Sequence, residues 1–242
     1  MDKSSYQHVI EFAREQASSS TDPYRLCQTL GIDTIFDKPL HKDGYLVCEG
    51  GCKLIFVSSK ITNTHRRKFI VSHEIGHFLL HREQLYCCSS ISEIGISRIN
   101  TSLQENEAND FASEFLMPRE QMVSLLPHHS VSFSDISKIA RHFDVSMTFS
   151  AIKAVQLSNA EDEILLCYEG QKLKWFSCGD KTLRRNKLPA NCPVDLESVR
   201  TKVDISGAWD SLYEGTVHQE IFHPVKNYSL VLLSGTRCIK ED

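Results

Sequence analysis

The segment KFIVSHEIGHFLLH, residues 68–81, limits what this chain can fold into more than any other. From Phe69 to Leu80 its only formal charge is Glu74, set among Phe69, Ile70, Val71, Ile75, Phe78, Leu79 and Leu80. No proline interrupts it, and its length exceeds that of an ordinary strand, so it reads as a helix that is apolar nearly all round and therefore buried. Burying a carboxylate without a partner costs several kcal/mol, roughly 2–7 even for neutral polar groups. The fold must therefore supply something that receives Glu74.

The spacing of the histidines suggests what that is. His73-Glu74-x-x-His77 places two imidazoles four residues apart, on one face of a helix. Two such rings can bind one Zn²⁺, leaving the adjacent Glu74 to take a proton from water activated by the ion. With 11 histidines in 242 residues, chance alone yields H-E-x-x-H in roughly one chain in thirty. The competing interpretation is a pair of buried, hydrogen-bonded core histidines. Two requirements bear on that choice: the motif must be helical, and a third ligand must come from a separate element, with one position left for water. Gly76 alone weakens the helix, and a glycine there allows a second backbone to come close.

The third ligand is sought in SLQENEANDFASEFLMP, a helix predicted over Leu103–Leu116, with Pro118 opening another. Glu105 and Glu107 both lie at the edges of the stripe formed by Leu103, Ala108, Phe111, Ala112, Phe115 and Leu116, so periodicity does not separate them. Ser102-x-x-Glu105 has capping-box spacing, which assigns Glu105 to the helix start and leaves Glu107 as the expected ligand. Glu114 is held in reserve. His81 reads as a helix-terminal histidine that interacts with the C-terminal dipole, or else as a partner of the metal ligands. Tyr45, His65, Arg66, Tyr86, His128 and His129 are chemically able to stabilise a transition state, and the sequence does not choose among them.

Around these motifs the chain organises into two parts. Helices are expected at 4–18 and 23–30, the latter capped by Thr21 or Asp22. Strands follow at Ile32–Phe36, Gly44–Cys48 and Lys53–Val57, with Glu49-Gly50-Gly51 forming a hairpin turn. A loop fills the stretch to about residue 100. Residues 132–158 have helix-turn-helix proportions, but Met147–Leu157 carries only Lys153 among cations, so a packing role is preferred over DNA reading. From about residue 160 the pattern turns to strands, with a hairpin at Glu169–Gln171 and strands at 216–222 and 228–239. Trp175, Trp209, Phe222 and Tyr228 are expected as core aromatics. The overall expectation is α+β: a mainly helical domain with a small three-stranded sheet over 1–158, then a β-rich accessory domain over 160–242.

Composition narrows the partners. A net charge of −4 gives no general attraction to nucleic acid or anionic membrane. The N-terminus lacks the pattern of a signal peptide, and no apolar run is long enough to span a bilayer. Nine cysteines, an odd number without a C-x-x-C pair, read as free thiols in a reducing cytoplasm. Cys48 and Cys52 lack a second ligand pair at metal spacing nearby.

LIFVSSKITNTHRRKFIVSHEIGHFLLH followed by ENEANDFASEFLMP resembles the ImmA/IrrE family of zinc metallo-endopeptidases, gluzincin-like enzymes, over roughly residues 5–158. The resemblance implies a zincin-like fold, Zn²⁺ held by His73, His77 and Glu107, and Glu74 as general base for peptide hydrolysis. It also implies a protein substrate, often a helix-turn-helix repressor or antitoxin-like regulator whose cleavage releases a stress response. A non-catalytic, zinc-containing regulatory protein is the rival expectation. Glu114-Phe115-Leu116 stands where the family usually shows two aliphatic residues before Met-Pro, which is a packing change. An extended substrate is expected beside the sheet, along Lys53–Val57.

Overall fold

The computed structural model describes residues 3–36, 38–81, 102–158, 162–179, 183, 185–194, 196 and 202–237. The predicted loop up to residue 100, with Tyr86, Cys87 and Cys88, lies outside these residues. The chain divides into two compact units, Met1–Pro118 and Arg119–Asp242.

The first unit opens with α1 (Lys3–Gln16) and α2 (Pro23–Leu30). Asp22 caps α2, its carboxylate accepting from the Tyr24 N–H at 3.1 Å, and Pro23 sits in the first turn, where a missing N–H costs nothing. Strands β1 (Asp33–Ile35), β2 (Gly44–Glu49) and β3 (Cys52–Val57) form a sheet in the order β1-β3-β2. The β2–β3 hairpin closes through Gly50 and Gly51, both at positive φ (58° and 84°), which suits a two-residue turn whose twist matches the strands. Strand β3 is the central strand, parallel to β1 and antiparallel to β2. The expected substrate track along Lys53–Val57 is therefore corrected: both edges of that strand are already paired.

Against the sheet lies α3 (Thr64–Leu80), capped by Asn63, whose side chain accepts from the Arg66 N–H at 2.9 Å. Ile70, Val71, Ser72, Glu74, Ile75, Gly76, His77 and Phe78 are all buried, as the apolar segment requires. Helix α4 (Ser102–Leu116) packs across α3. Phe111, Ala112, Phe115 and Ala108 join Ile75, Val71, Ile55, Leu26 and Ile10 in the core. Gly76 is what brings the two helices together: a Cβ there would stand 3.1 Å from the Ala108 Cα, 3.2 Å from its carbonyl oxygen and 3.2 Å from the Phe111 Cβ.

The second unit begins with α5 (Arg119–Leu125), α6 (Phe133–Phe143) and α7 (Met147–Leu157). A five-stranded antiparallel sheet follows, β5-β4-β8-β7-β6, built from β4 (Ile164–Glu169), β5 (Lys172–Cys178), β6 (Lys202–Ser206), β7 (Tyr213–Val225) and β8 (Tyr228–Arg237). Ile164, Leu166, Tyr168, Trp209, Tyr213, Val217, Ile221, Val231 and Leu233 form its core. Leu165 and Cys167, on the opposite face of β4, are also buried, and α7 packs against β4 and β5.

The packing division at Pro118 precedes the expected boundary near residue 160, for a reason visible at the start of α6. The Val131 N–H donates to Glu163 Oε1, and the Phe133 N–H donates to Glu220 Oε2 at 2.8 Å. Glu163 and Glu220 thus satisfy backbone donors around the start of α6, where negative charge is favoured. Phe133 packs on Phe222 at 5.5 Å between ring centroids, and the Tyr213 hydroxyl donates to the Asp162 carbonyl at 2.6 Å. The helices from α5 onward therefore belong with the sheet. Among the described residues no helix is long and apolar enough to cross a membrane. The described cysteines, Cys27, Cys48, Cys52, Cys167, Cys178 and Cys192, are all free thiols.

Candidate metal centre

Helix α3 delivers His73, Glu74 and His77 as the spacing predicts. His73 and His77 turn toward α4, their Nε2 atoms 3.0 Å apart with the rings nearly perpendicular. The carboxylate that meets them belongs to Glu105, with Oε2 3.3 Å from His73 Nε2 and Oε1 3.6 Å from His77 Nε2. Glu107, the expected ligand, stands elsewhere: its Oε2 lies 2.9 Å from His81 Nε2. Glu105 lies in the first turn of α4, from which its side chain crosses to α3. Glu114, the reserve, pairs with Arg14 at 3.0 Å.

The group fits a divalent metal. A tetrahedral ion with bonds of about 2.0–2.1 Å holds neighbouring ligand atoms roughly 3.3 Å apart, and the separations here are 3.0, 3.3 and 3.6 Å. The outer ring nitrogens are engaged: His73 Nδ1 lies 3.0 Å from Asn109 Oδ1, and His77 Nδ1 lies 3.1 Å from His81 Nδ1. Donation of the His73 Nδ1–H to the Asn109 amide oxygen leaves Nε2 with a bare lone pair aimed at the cluster. Glu105 and Asn109 are four residues apart on α4, so one helical face supplies both the carboxylate and the group that orients the first imidazole.

Burial favours neutral imidazoles, the form that binds a metal. Desolvation, then the neighbouring His73 and His81, pushes His77 down to about 3. Desolvation also lowers His73, against the opposing pull of Glu105 and the Asn109 hydrogen bond. Glu74 is 8% exposed, and burial together with the Glu105 charge pushes it up to about 8, against Lys42 and a backbone hydrogen bond from Leu46. Gly44 allows this closeness of β2 to α3: a Cβ there would meet the Ile70 Cγ2 at 2.5 Å and would lie 3.6 Å from Glu74 Oε1. Among the described residues β2 is an edge strand of the sheet, and it passes Glu74.

Of the side chains considered as further donors, Arg66 pairs with Asp43 at 2.6 Å and Tyr45 stacks on Phe56 at 4.9 Å. Elsewhere, His218 lies 2.7 Å from Asp204 Oδ1 and 3.3 Å from Glu220 Oε1, and His223 lies 2.9 Å from the Ser229 hydroxyl. Among the described residues, His73, His77 and Glu105 are the group whose ligand atoms converge closely enough to hold an ion. Sequence reasoning weighed Glu105 but preferred Glu107, and it missed Asn109 and the His81–Glu107 contact. The available signal was the shared period of four: Glu105 to Asn109 on one helix, His73 to His77 to His81 on the other.

A Mycobacterium tuberculosis transcriptional regulator of known structure is similar, at 12% identity and a TM-score of 0.56, over 94% of this chain and 76% of that one. At that identity the likeness speaks to the fold. No curated protein matches the chain. The family comparison reaches further, because its match runs over residues 27–154 and takes in both helices that build the metal group. On that match, which covers more than half of its length, the chain belongs to the Peptidase M78 family, the IrrE N-terminal-like domain.

Proposed function

We propose that this chain is a zinc-dependent endopeptidase that cuts one peptide bond in a specific protein, a helix-turn-helix repressor or antitoxin-like regulator, in the cytoplasm. The observation that carries the reading is the convergence of His73, His77 and Glu105 beside a buried carboxylate, Glu74, that is not one of the three. A metal site that serves only to hold the fold has no use for a fourth, desolvated acid next to its ligands. In a hydrolase that acid is the base. A zinc ion held there supplies a Lewis acid that makes water more acidic and polarises a carbonyl.

The chain's own groups do the rest. Glu74 takes a proton from the attacking water and returns it to the nitrogen of the departing amine, so one carboxylate serves both halves of the reaction. Glu105 and Asn109 keep His73 in position. Edge strand β2 offers backbone groups to an extended substrate, which would then run past Glu74.

A second reading, a non-catalytic zinc-containing regulatory protein, takes support from the fold neighbour, which is itself called a transcriptional regulator. One experiment separates the two. The protein is incubated with regulators encoded beside it, in wild-type and Glu74→Gln forms, with intact masses read for every chain. The enzymatic reading expects two fragments summing to one substrate plus water, seen with wild type alone, while both forms retain zinc. Equal cleavage by Glu74→Gln would remove Glu74 as the base, and no cleavage of any such regulator by wild type would favour the second reading.

A further inference from the structure

We propose that Glu107 and His81 form a positioning chain that holds His77 in the one tautomer able to bind the metal. The inference rests on the zinc reading above and concerns residues outside the ligand set. Glu107 Oε2 stands 2.9 Å from His81 Nε2, and His81 Nδ1 stands 3.1 Å from His77 Nδ1. His77 Nε2 in turn faces His73 Nε2 and the Glu105 carboxylate. Three side chains, Glu107, His81 and His77, thus lie in series from α4 back onto α3 and into the cluster.

Hydrogen-bond chemistry fixes the direction of the series. A carboxylate only accepts, so the proton between Glu107 and His81 belongs to His81 Nε2. A neutral His81 then presents Nδ1 as a lone pair, and His77 must donate its Nδ1–H to it. His77 Nε2 is left bare, pointing at the metal position. The alternative direction would place a hydrogen on His77 Nε2, aimed at the atoms with which it has to share an ion. Both histidines are buried, and the carboxylate that ends the series offers lone pairs alone, so each remaining hydrogen bond has one direction open to it. The negative charge relayed through His81 also makes His77 a stronger donor to a metal, as outer partners of metal-bound histidines do.

The two imidazoles are therefore oriented by different devices. His73 relies on an amide, Asn109, in direct contact. His77 relies on a carboxylate two steps away. This accounts for Glu107, which stands two residues from Glu105 on α4 and meets His81 rather than the cluster, and it gives His81 the partner role that its place at the end of α3 allowed.

The test uses the full chain in three forms: wild type, His81→Leu and His81→Asn. Leucine fills the space but accepts nothing, whereas the asparagine oxygen can take the place of His81 Nδ1. Zinc affinity is measured by competition with a chelator. Ring-nitrogen NMR of the metal-free protein at pH 7.5 reads the His81 tautomer. The expected result is a loss of about 10–100-fold in zinc affinity for His81→Leu and substantial recovery in His81→Asn. In wild type, His81 should carry its proton on Nε2, with Nδ1 bare. Wild-type affinity in His81→Leu, an equal loss in both variants, or a proton on His81 Nδ1 would each overturn the positioning chain. If wild type binds no zinc at all, the metal reading fails while the ring-nitrogen spectrum still decides the tautomer.

Discussion

Replacing Gly76 by alanine tests whether the spacing of α3 and α4 is what assembles the metal group. In an isolated helix the change is favourable by about 1 kcal/mol. Here the new methyl would sit 3.1 and 3.2 Å from backbone atoms of Ala108 and 3.2 Å from the Phe111 Cβ. Two of those three atoms are main chain, so the strain cannot be relieved by turning a side chain, and the helices have to part by a few tenths of an ångström. Overpacking of this kind costs roughly 1–3 kcal/mol, which exceeds the propensity gain, and the expected net effect is a destabilisation of about 1 kcal/mol. Metal geometry is more sensitive still, because ligand distances tolerate only about 0.2 Å and Glu105 reaches the histidines from the helix that moves. Denaturant unfolding of the metal-free protein gives the first quantity and chelator competition the second. Gly76→Ala should unfold more easily and bind zinc several-fold more weakly, with Gly76→Val worse on both counts. A variant that gains the full helix-propensity increment and keeps wild-type zinc affinity would refute the claim that this contact sets the site.

Three further outcomes follow from the same structure. Glu163, fully buried at the Val131 N–H, has its pKa raised by desolvation against the lowering effect of hydrogen bonds from Ser158 and Val131. The unfolded chain therefore ionises first as pH rises, and this residue's contribution to stability declines between the ordinary carboxylate range and its higher folded value. Glu163→Gln should thus gain stability over wild type progressively from pH 4 to pH 8 in urea unfolding, and a constant difference across that range would contradict the assignment. Asp22→Ala removes the cap on the Tyr24 N–H and should cost about 1 kcal/mol, read as a lowered urea midpoint. Glu105→Ala should reduce bound zinc well below one ion per chain in equilibrium dialysis, while Glu114→Ala, which breaks the Arg14 pair, should leave it unchanged.

Much of this was legible in the sequence because the relevant information is local. The buried helix, its histidine spacing, the glycine that admits α4, the Gly-Gly hairpin and the start of α2 each depend on residues within a few turns of one another. The choice between Glu105 and Glu107 does not. Both lie at the margins of one apolar stripe, and which of them meets His73 depends on how α4 is rotated against α3, a property of Gly76, Ala108 and Phe111 packing together. The capping-box spacing of Ser102 and Glu105 pointed away from the answer because it describes the helix alone.

The division of the chain was hidden for a similar reason. Hydrophobic periodicity changes near residue 160, but the carboxylates of Glu163 and Glu220 tie the strands to the backbone at the start of α6, and such long-range bonds leave no periodic trace. Strand β6 also went unrecognised, since Lys202–Ser206 is short and polar at alternate positions, and its pairing is provided by β7.

The most direct measurement is a crystal structure of the zinc-loaded protein with anomalous data at the zinc edge. The account predicts one strong peak within about 2.0–2.2 Å of His73 Nε2, His77 Nε2 and a Glu105 carboxylate oxygen, with Glu107 still bonded to His81. A peak ligated by Glu107, or no peak between the two histidines, would contradict it.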